Sequence, residues 1–394
     1  MSISNNVQRR MVEGSWIRKM FEEGTLLKQR YGEENVYDLS LGNPVMEPPP
    51  EFVQELKQLA TNPPPGMHRY MGNAGYPETR AAVAEQLCLE TGVKLTVNDI
   101  VMTCGAAGAA NVVLKTILNP GEEIILLAPY FMEYDNYIDN HEGIPKVLPT
   151  DEQFMPKLDT LEAAITAKTK GIIINSPNNP TGAVYDEDLI HHLVDLLIKK
   201  EEQYGTQIFL ISDEAYRKII YDGLKCPPIL HHRHSIIVTS HSKDLALPGE
   251  RIGYIAVHPE CSQQEELMSG LIFCNRALGY VNAPALMQQA VRNLQHVTVS
   301  VAEYQRKRDF LYNHLIEMGY SVVKPRGAFY MFPKSPQEDD VAFVRELQQC
   351  NVLVVPGRGF GAPGYFRVSY CVHDRTLEGS IDGFKKTAQK FNLC

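Results

Sequence analysis

The sequence is short of positive charge, and this shortage excludes several classes of partner. Its 394 residues carry 38 Lys and Arg against 47 Asp and Glu, which gives a formal net charge of −9. Binding to nucleic acids or to acidic membranes requires a positive surface that displaces counterions. We therefore expect neither a nucleic acid nor a membrane as a partner, and expect a small-molecule substrate instead.

Cysteine pairs and long apolar runs are also lacking. The eight cysteines are scattered without a C-x-x-C pair, so they predict reduced thiols rather than a disulfide framework or a zinc site. Residues 1–16 contain no apolar run typical of a secretory signal, and no later run reaches the length of a membrane span. These observations predict a cytoplasmic protein.

From about residue 77, helical patterns alternate with short apolar runs. The predicted helices are 78–90, 107–118 and 187–203. The apolar runs, rich in Ile and Val, are 100–103, 124–127, 171–174, 208–211 and 236–239. Runs without polar alternation are typical of strands buried on both faces, and strand–helix alternation favours a parallel sheet. We predict a large α/β domain with a mainly parallel sheet.

The pattern changes after about residue 281. Predicted helices lie at 285–295, 301–318, 340–349 and 375–390, and short strands at 320–323, 328–332, 352–355 and 366–370. This order indicates a separate, smaller α+β domain. We expect three parts: an N-terminal segment (1–47) that packs with the small domain, a large α/β domain (48–280) and the small C-terminal domain (281–394).

Chemically useful residues follow the predicted strands. In open α/β sheets, ligands bind beyond the carboxyl ends of the strands. The residues found there are a small-residue turn at Gly105, Ala106 and Ala107, the pair Tyr130 and Phe131, then Asn179, then Asp213 with Tyr216, and finally Ser240, Ser242, Lys243 and Arg251. These strand ends should meet at one place.

The first of these residues suit the phosphate and the ring of pyridoxal phosphate. A phosphate binds backbone N–H groups at a helix start together with an arginine, here the turn 105–107 and Arg251. The pyridine ring packs against an aromatic face, for which Phe131 is the candidate and Tyr130 its competitor.

The remaining residues suit the polar groups of the same cofactor. Asp213 could bind the protonated ring nitrogen, and Tyr216 and Asn179 could donate to the phenolate oxygen. Lys243 could form the imine with the aldehyde and, once freed, carry the substrate's α-proton. Any one of these residues alone would suit an ordinary structural role, whereas their joint order at successive strand ends predicts the cofactor.

Three segments make a family resemblance specific. SPNNPTG (176–182), SDEAYRKIIYDG (212–223) and SHSKDLALPGERIGY (240–254) resemble the class I and II aminotransferases of pyridoxal-phosphate fold type I. The spacings, 34 residues from Asn179 to Asp213 and 30 from Asp213 to Lys243, agree with that resemblance, which runs from about Leu39 to FRVSY (366–370). It implies a seven-stranded, mainly parallel sheet between helices, beside a smaller α+β domain.

The resemblance also implies a role for each matching residue. The implied roles are Schiff-base lysine for Lys243, pyridine-nitrogen partner for Asp213, phenolate partners for Tyr216 and Asn179, phosphate ligands for Ser240, Ser242 and Arg251, and binding of the substrate's α-carboxylate by Arg367 with Asn179 and the backbone of Gly42. Tyr70 would reach the phosphate of a neighbouring subunit, which implies a homodimer with shared active sites. Two positions depart from many relatives: the turn 105–107 lacks a hydroxyl residue, and Phe131 stands where some have tryptophan.

The implied activity is transamination between an amino acid and a 2-oxo acid, through Schiff-base and pyridoxamine phosphate intermediates. A lyase or decarboxylase of the same fold is the alternative, because these enzymes share the cofactor residues and differ in the bond that breaks. A non-catalytic regulator that binds the cofactor is a further alternative. It is disfavoured because the chain before Leu39 is short for a DNA-binding domain and is not basic.

Two further groups invite functional interpretations that we disfavour. His231, His232 and His234 could suggest a metal site, but no carboxylate arrangement accompanies them in the sequence, so we expect a solvated loop and no metal. Arg18 and Arg276 are candidates to bind a second substrate carboxylate, and we expect both to be surface residues.

Overall fold

The computed structural model describes residues 2–13 and 16–393, with all their side chains except those of residues 12–21. The helices are α1 (Asn5–Glu13), α2 (Trp16–Tyr31), α3 (Pro50–Thr61), α4 (Pro77–Thr91), α5 (Gly105–Ile117), α6 (Glu133–Asp139), α7 (Leu158–Ala164), α8 (Glu187–Tyr204), α9 (His241–Asp244), α10 (Gln264–Ala277), α11 (Ala285–Val291), α12 (Val301–Glu317), α13 (Asp340–Gln349) and α14 (Asp374–Lys390). The strands are β1 (Tyr37–Asp38), β2 (Ile100–Thr103), β3 (Glu123–Ala128), β4 (Ile144–Pro149), β5 (Thr169–Asn175), β6 (Phe209–Asp213), β7 (Ser235–Ser240), β8 (Gly253–Val257), β9 (Tyr330–Met331), β10 (Val352–Leu353), β11 (Val355–Pro356) and β12 (Phe366–Ser369).

A seven-stranded sheet forms the centre of the larger part of the chain. Its strand order is β2-β8-β7-β6-β5-β3-β4. β8 runs antiparallel to both of its neighbours, and every other neighbouring pair is parallel. The five apolar runs of the sequence are β2, β3, β5, β6 and β7, so the predicted mainly parallel α/β fold is confirmed.

The sheet lies between two hydrophobic cores, which explains its unbroken apolar runs. Along β3, Ile125 and Leu127 belong to one core, whereas Ile124 and Leu126 belong to the other. Successive side chains of a strand point to opposite faces, so a strand covered by helices on both faces has no solvent-facing position. β4 was not predicted because it is an edge strand with partly exposed residues and two prolines, Pro145 and Pro149.

The smaller part contains short strands around a third core, which is rich in aromatic residues. β9, β12 and β11 form an antiparallel sheet, and β1 pairs in parallel with β10. The predicted strand at 352–355 is two strands that pair with different partners. The predicted helix at 285–295 ends at Val291 and continues as a 3₁₀ turn, Arg292–Leu294.

The strand predicted at 320–323 is wrong. The backbone N–H of Tyr320 bonds to the Leu315 carbonyl and so closes the end of α12. Its ring is buried, and its hydroxyl donates to the Phe384 carbonyl at 3.0 Å. The Tyr320 N–H, which a strand ladder would have needed, is therefore used to close the helix, and packing fixes the Tyr320 side chain.

The sequence analysis predicted neither a membrane-spanning segment nor a disulfide framework, and the structure can be compared with both predictions. In residues 2–13 and 16–393, no helix has both the length and the apolar character needed to cross a bilayer. The seven cysteines in these ranges are all free thiols, as predicted from their scattered positions.

Gly253, the first residue of β8, leaves no room for a side chain. A Cβ atom there would overlap the Thr239 carbonyl oxygen and lie 3.0 Å from the Cα atoms of Gly105 and Ser240. These are backbone atoms, which move only with β7 and with the start of α5. We expect Gly253→Ala to lower the free energy of unfolding by about 3 kcal/mol or more, measured by chemical denaturation.

Gly249→Ala is the matched control for that substitution, because no atom lies within 4 Å of a Cβ built at Gly249. We expect it to change the unfolding free energy by no more than about 0.5 kcal/mol. Equal stability of the two variants would contradict the tight packing of β8 against β7.

Candidate active site

A cavity of about 290 Å³ opens at the carboxyl ends of the central strands, at the lower end of the volumes of ligand pockets. Parallel strands end at one edge, and the pairing of Asn175 with Asp213 and of Asp213 with Val238 aligns β5, β6 and β7. Most predicted site residues line this cavity, namely Gly42, Ala106, Ala107, Phe131, Asn179, Asp213, Tyr216, Ser240, Ser242, Lys243, Arg251 and Arg367.

Lys243 lies on the short helix α9, directly after β7. Its Nζ donates to the Gly42 carbonyl oxygen at 2.8 Å and lies 5.5 Å from the centre of the Phe329 ring. No carboxylate of the described residues forms an ion pair with it. Burial lowers the pKa of Lys243 to about 8. At this pKa about a tenth of the amine is uncharged at pH 7, and the uncharged form is the one that attacks an aldehyde.

Asp213 is the last residue of β6. Its Oδ2 accepts a hydrogen bond from the Tyr134 hydroxyl at 2.7 Å, and its Oδ1 accepts one from the Ala215 N–H at 3.3 Å. Burial raises the pKa of Asp213, whereas these two hydrogen bonds lower it. No lysine, arginine or histidine side chain in the described ranges pairs with the carboxylate, so it is available to a cationic ligand.

Arg367 is buried in β12 without an anionic partner among the described residues. Its Nη1 donates to Asn179 Oδ1 at 2.9 Å and its Nη2 to the Ser40 carbonyl at 2.6 Å. The guanidinium stacks on Tyr330 and Phe360, and its Nε has no hydrogen-bond partner. Burial lowers the pKa of Arg367, but a guanidinium stays protonated in proteins. A buried cation of this kind needs an anion from a ligand.

The start of α5 and Arg251 form the cavity's other cationic end. Gly105 has a φ of +76° and begins α5, so its turn presents backbone N–H groups to the cavity. Arg251 donates to the Pro248 carbonyl at 2.8 Å and to the Cys104 carbonyl at 3.4 Å. Gly105 does not itself line the cavity, although a Cβ built on it would lie 2.9 Å from Arg251 Nη2.

Two tyrosine hydroxyls meet at the cavity wall. The hydroxyls of Tyr216 and Tyr330 lie 3.0 Å apart. Burial raises the pKa of Tyr216 well above its ordinary value and that of Tyr330 to about 12. Both phenols are therefore protonated at neutral pH, and Tyr216 can donate a hydrogen bond to a ligand oxygen.

The cavity also contains residues that the sequence analysis missed. Asn175 had a usable signal in the sequence, because it is a polar residue at the end of a buried strand. In the structure its Nδ2 donates to the Asp213 carbonyl at 2.8 Å. Tyr134 and Tyr137 lie one turn and two turns after Phe131, on α6. Tyr330 comes from β9, far along the chain, and no local pattern marks it.

Several candidates lie outside the cavity. Tyr70 is 93% exposed. Tyr130, the competitor of Phe131, is buried with its hydroxyl bonded to Asp135 at 2.5 Å. The exposed Arg276 stacks on the ring of Phe273, as expected of a surface residue. The side chain of Arg18 lies outside the described residues.

Comparisons with known proteins agree with the chemistry of this cavity. The sequence pattern of the family described as aminotransferase class I and II matches residues 34–382. The chain is 31% identical to the probable aspartate aminotransferase of Methanocaldococcus jannaschii, over 95% of this chain and 97% of that protein. It is 31% identical to aromatic-amino-acid aminotransferase 2 of Thermococcus litoralis, over 100% of both chains.

A solved structure is similar over the whole length. The crystal structure of an aminotransferase from Eubacterium rectale covers 100% of both chains with a TM-score of 0.96 at 39% sequence identity. The unpaired amine, carboxylate and guanidinium around the cavity fit the aldehyde and ring nitrogen of pyridoxal phosphate and the carboxylate of an amino acid. The chain therefore belongs to the class I and II aminotransferase family and is a pyridoxal-phosphate-dependent aminotransferase.

Proposed function

We propose that Lys243, Asp213 and Arg367 perform the amino-group transfer in this cavity. The observation that carries the proposal is that all three charged side chains line one cavity and that none is paired with an opposite charge in the described part of the chain. Charged groups enclosed by protein are normally paired. Three exceptions around one cavity are expected where ligands supply the missing partners.

The ring-binding residues follow from the positions of these charges. Pyridoxal phosphate, when bound, withdraws electrons from the substrate's α-carbon. Asp213 would hold the proton on the pyridine nitrogen, and Lys243 would attach at the aldehyde carbon. Tyr216 and Asn179 would donate to the phenolic oxygen, and the Phe131 ring would pack against the pyridine.

The phosphate-binding residues lie at the end of the cavity formed by α5. The backbone N–H groups of the turn 105–107 would bind the phosphate at the positive end of that helix. Arg251 would supply a charged donor, and the hydroxyls of Ser240 and Ser242 would add hydrogen bonds. The absence of a hydroxyl side chain in the turn leaves only backbone donors at that point.

Arg367 would bind the α-carboxylate of the amino acid, together with Asn179 and the backbone of Gly42. Its Nε is the free donor, and its Nη1 is already held in place by Asn179. Lys243 would then take the proton from the substrate's α-carbon. A pKa of about 8 suits this role, because an effective general base has a pKa near the working pH.

The substrate class is proposed from the names of the relatives. These names include aspartate and aromatic-amino-acid aminotransferases and give no support to the lyase or decarboxylase alternative. In the described part of the chain the cavity is lined by three cations, Lys243, Arg251 and Arg367, and each is already assigned to the cofactor or to the substrate's α-carboxylate. Aspartate, glutamate, phenylalanine and tyrosine are therefore the first donors to compare, with 2-oxoglutarate as acceptor.

We also propose a homodimer with shared active sites, located in the cytoplasm. A tyrosine that is 93% exposed, Tyr70, suits contact with a partner subunit. The free thiols support a reducing compartment, and recovery of the native protein from outside the cytoplasm would contradict that location.

We further propose that the chain divides into three parts, as predicted for 1–47, 48–280 and 281–394, with the second boundary moved towards the C-terminus. The pairing of β1 with β10 supports packing of the N-terminal segment with the small domain. Met287, Ala290 and Leu294 belong to the same core as the large sheet, which favours a second boundary somewhat after residue 294. Limited proteolysis that cut first within the large sheet would contradict the division.

Lys243→Ala tests the proposed chemistry directly. We expect the amino-acid half-reaction to slow by at least about a thousand-fold, because both the attachment point and the proton carrier are lost. The measurement is the change in cofactor absorbance on adding the donor. Lys199→Ala, which removes an exposed lysine bonded to Glu162, should react at nearly the rate of the unmodified enzyme. A Lys243→Ala enzyme that still turned over would contradict the assignment.

Tyr134→Phe tests the role of Asp213. The Tyr134 hydroxyl stabilises the ionised carboxylate, so its removal raises the pKa of Asp213 further. The carboxylate then becomes protonated at a higher pH, and we expect the acid limb of cofactor affinity to move to higher pH. At a given pH on this limb, the affinity for the cofactor should fall by about tenfold, which corresponds to the free energy of roughly one hydrogen bond to a charged group.

The matched control is Tyr137→Phe, because Tyr137 lines the same cavity without a hydrogen bond to Asp213. Cofactor affinity is measured by equilibrium titration of the apoenzyme across pH. An acid limb that moved equally in both variants would show that the Tyr134 hydrogen bond is not the cause.

Tyr70→Phe tests the shared active site. The exposed Tyr70 side chain does not line the cavity of its own chain, so contact with a partner subunit is the route by which we expect it to affect cofactor binding. We expect the affinity for the cofactor to fall by about tenfold, and the enzyme to sediment as a dimer. Tyr31→Phe removes another exposed hydroxyl and should change nothing. Unchanged affinity in Tyr70→Phe, or a monomeric mass, would contradict the proposal.

A further inference from the structure

Two groups of histidine and carboxylate side chains connect helix α8 to the segment before β7. One group is buried and consists of Glu201, His232 and His234; the other is exposed and consists of Glu187, His191 and His231. In each group the potential metal-binding atoms lie within 4.8 Å of one another. Neither group lines the active-site cavity.

The buried group already uses most of its polar atoms in the fold, and of its fully buried polar atoms only His232 Nδ1 lacks a partner among the described residues. Glu201 Oε1 accepts from the Ile208 N–H at 2.8 Å and lies 2.5 Å from His234 Nδ1. His234 Nε2 lies 3.1 Å from Ser262 Oγ, and His232 Nε2 lies 3.1 Å from the Ile208 carbonyl. A metal ion would have to break these bonds inside the protein, so this group is structural.

The exposed group has its lone pairs free. Glu187 and His191 are four residues apart on α8, so their side chains lie on the same face of the helix. The chain before β7 brings His231 to them, and the two imidazole rings meet edge to face with centroids 4.9 Å apart. No hydrogen bond or ion pair joins these three side chains to any other group that the structure describes.

We propose that Glu187, His191 and His231 form a binding site for Zn²⁺. Two imidazole nitrogens and one carboxylate oxygen are a ligand set that zinc accepts in tetrahedral sites, with water in the open position. Mg²⁺ and Ca²⁺ prefer oxygen ligands and are disfavoured by the two imidazoles.

The geometry requires only a small adjustment. Ligand atoms about 2.1 Å from one zinc ion in a tetrahedral site lie about 3.4 Å apart, and the separations here are at most 4.8 Å. All three side chains are exposed and can change rotamer without disturbing the core. The bound ion would link the first two turns of α8 to the segment that enters β7.

Titration calorimetry of the pyridoxal-phosphate-loaded enzyme with zinc chloride tests the site. We expect one Zn²⁺ per chain. Glu187→Gln, His191→Asn and His231→Asn should each weaken binding by at least about tenfold, because the loss of groups that only orient a ligand already costs this much. Asp188→Asn and His192→Asn are matched controls on the same helix, and both should bind zinc as the unmodified enzyme does.

Thermal unfolding provides a second measurement that does not depend on activity. Zinc should raise the midpoint of the unmodified enzyme and of the two controls, and not that of the three ligand variants. The proposal is overturned if the enzyme does not bind zinc, if the ligand variants bind as tightly as the unmodified enzyme, or if the controls lose affinity equally.

Discussion

The active site depends on the parallel register of β5, β6 and β7. This register places Asn175 opposite Asp213, and Asp213 opposite Val238, so the three strands end at one edge of the sheet. Lys243 follows β7 after a few residues, on α9. The rigid sheet thereby holds the amine and the carboxylate on the wall of one cavity, although the carboxylate ends β6 and the amine lies on the helix that follows β7. A shift of one residue in either pairing would turn Asp213 to the opposite face.

The same arrangement leaves charges without partners, and this affects stability as well as function. Arg367 is buried, and the amine of Lys243 is sufficiently desolvated to have a lowered pKa. Enclosing unpaired charges opposes folding. Ligands that supply opposite charges bind the folded state alone, so they recover this free energy and stabilise the enzyme. The site is therefore built to be completed by its cofactor and substrate.

In the segment HHRH (231–234), neighbouring side chains alternate between the surface and the interior. His232 and His234 are buried, whereas His231 and Arg233 are exposed, the alternation of a chain that is about to enter a strand. The expectation of a solvated loop without a carboxylate arrangement is therefore wrong for His232 and His234, because α8 contributes Glu201 to this inner pair and Glu187 with His191 to the outer histidine.

By itself, the sequence determined the mainly parallel α/β fold and most of the cavity, since apolar runs report burial on both faces of a strand and motifs such as SPNNPTG follow those runs directly. Tertiary structure alone decided that Tyr134 donates to Asp213, that Tyr330 joins Tyr216, and that the segment at 320–323 is no strand. It also decided which carboxylates meet which histidines. These contacts join residues that are distant along the chain, and their geometry depends on how whole elements pack rather than on any local pattern.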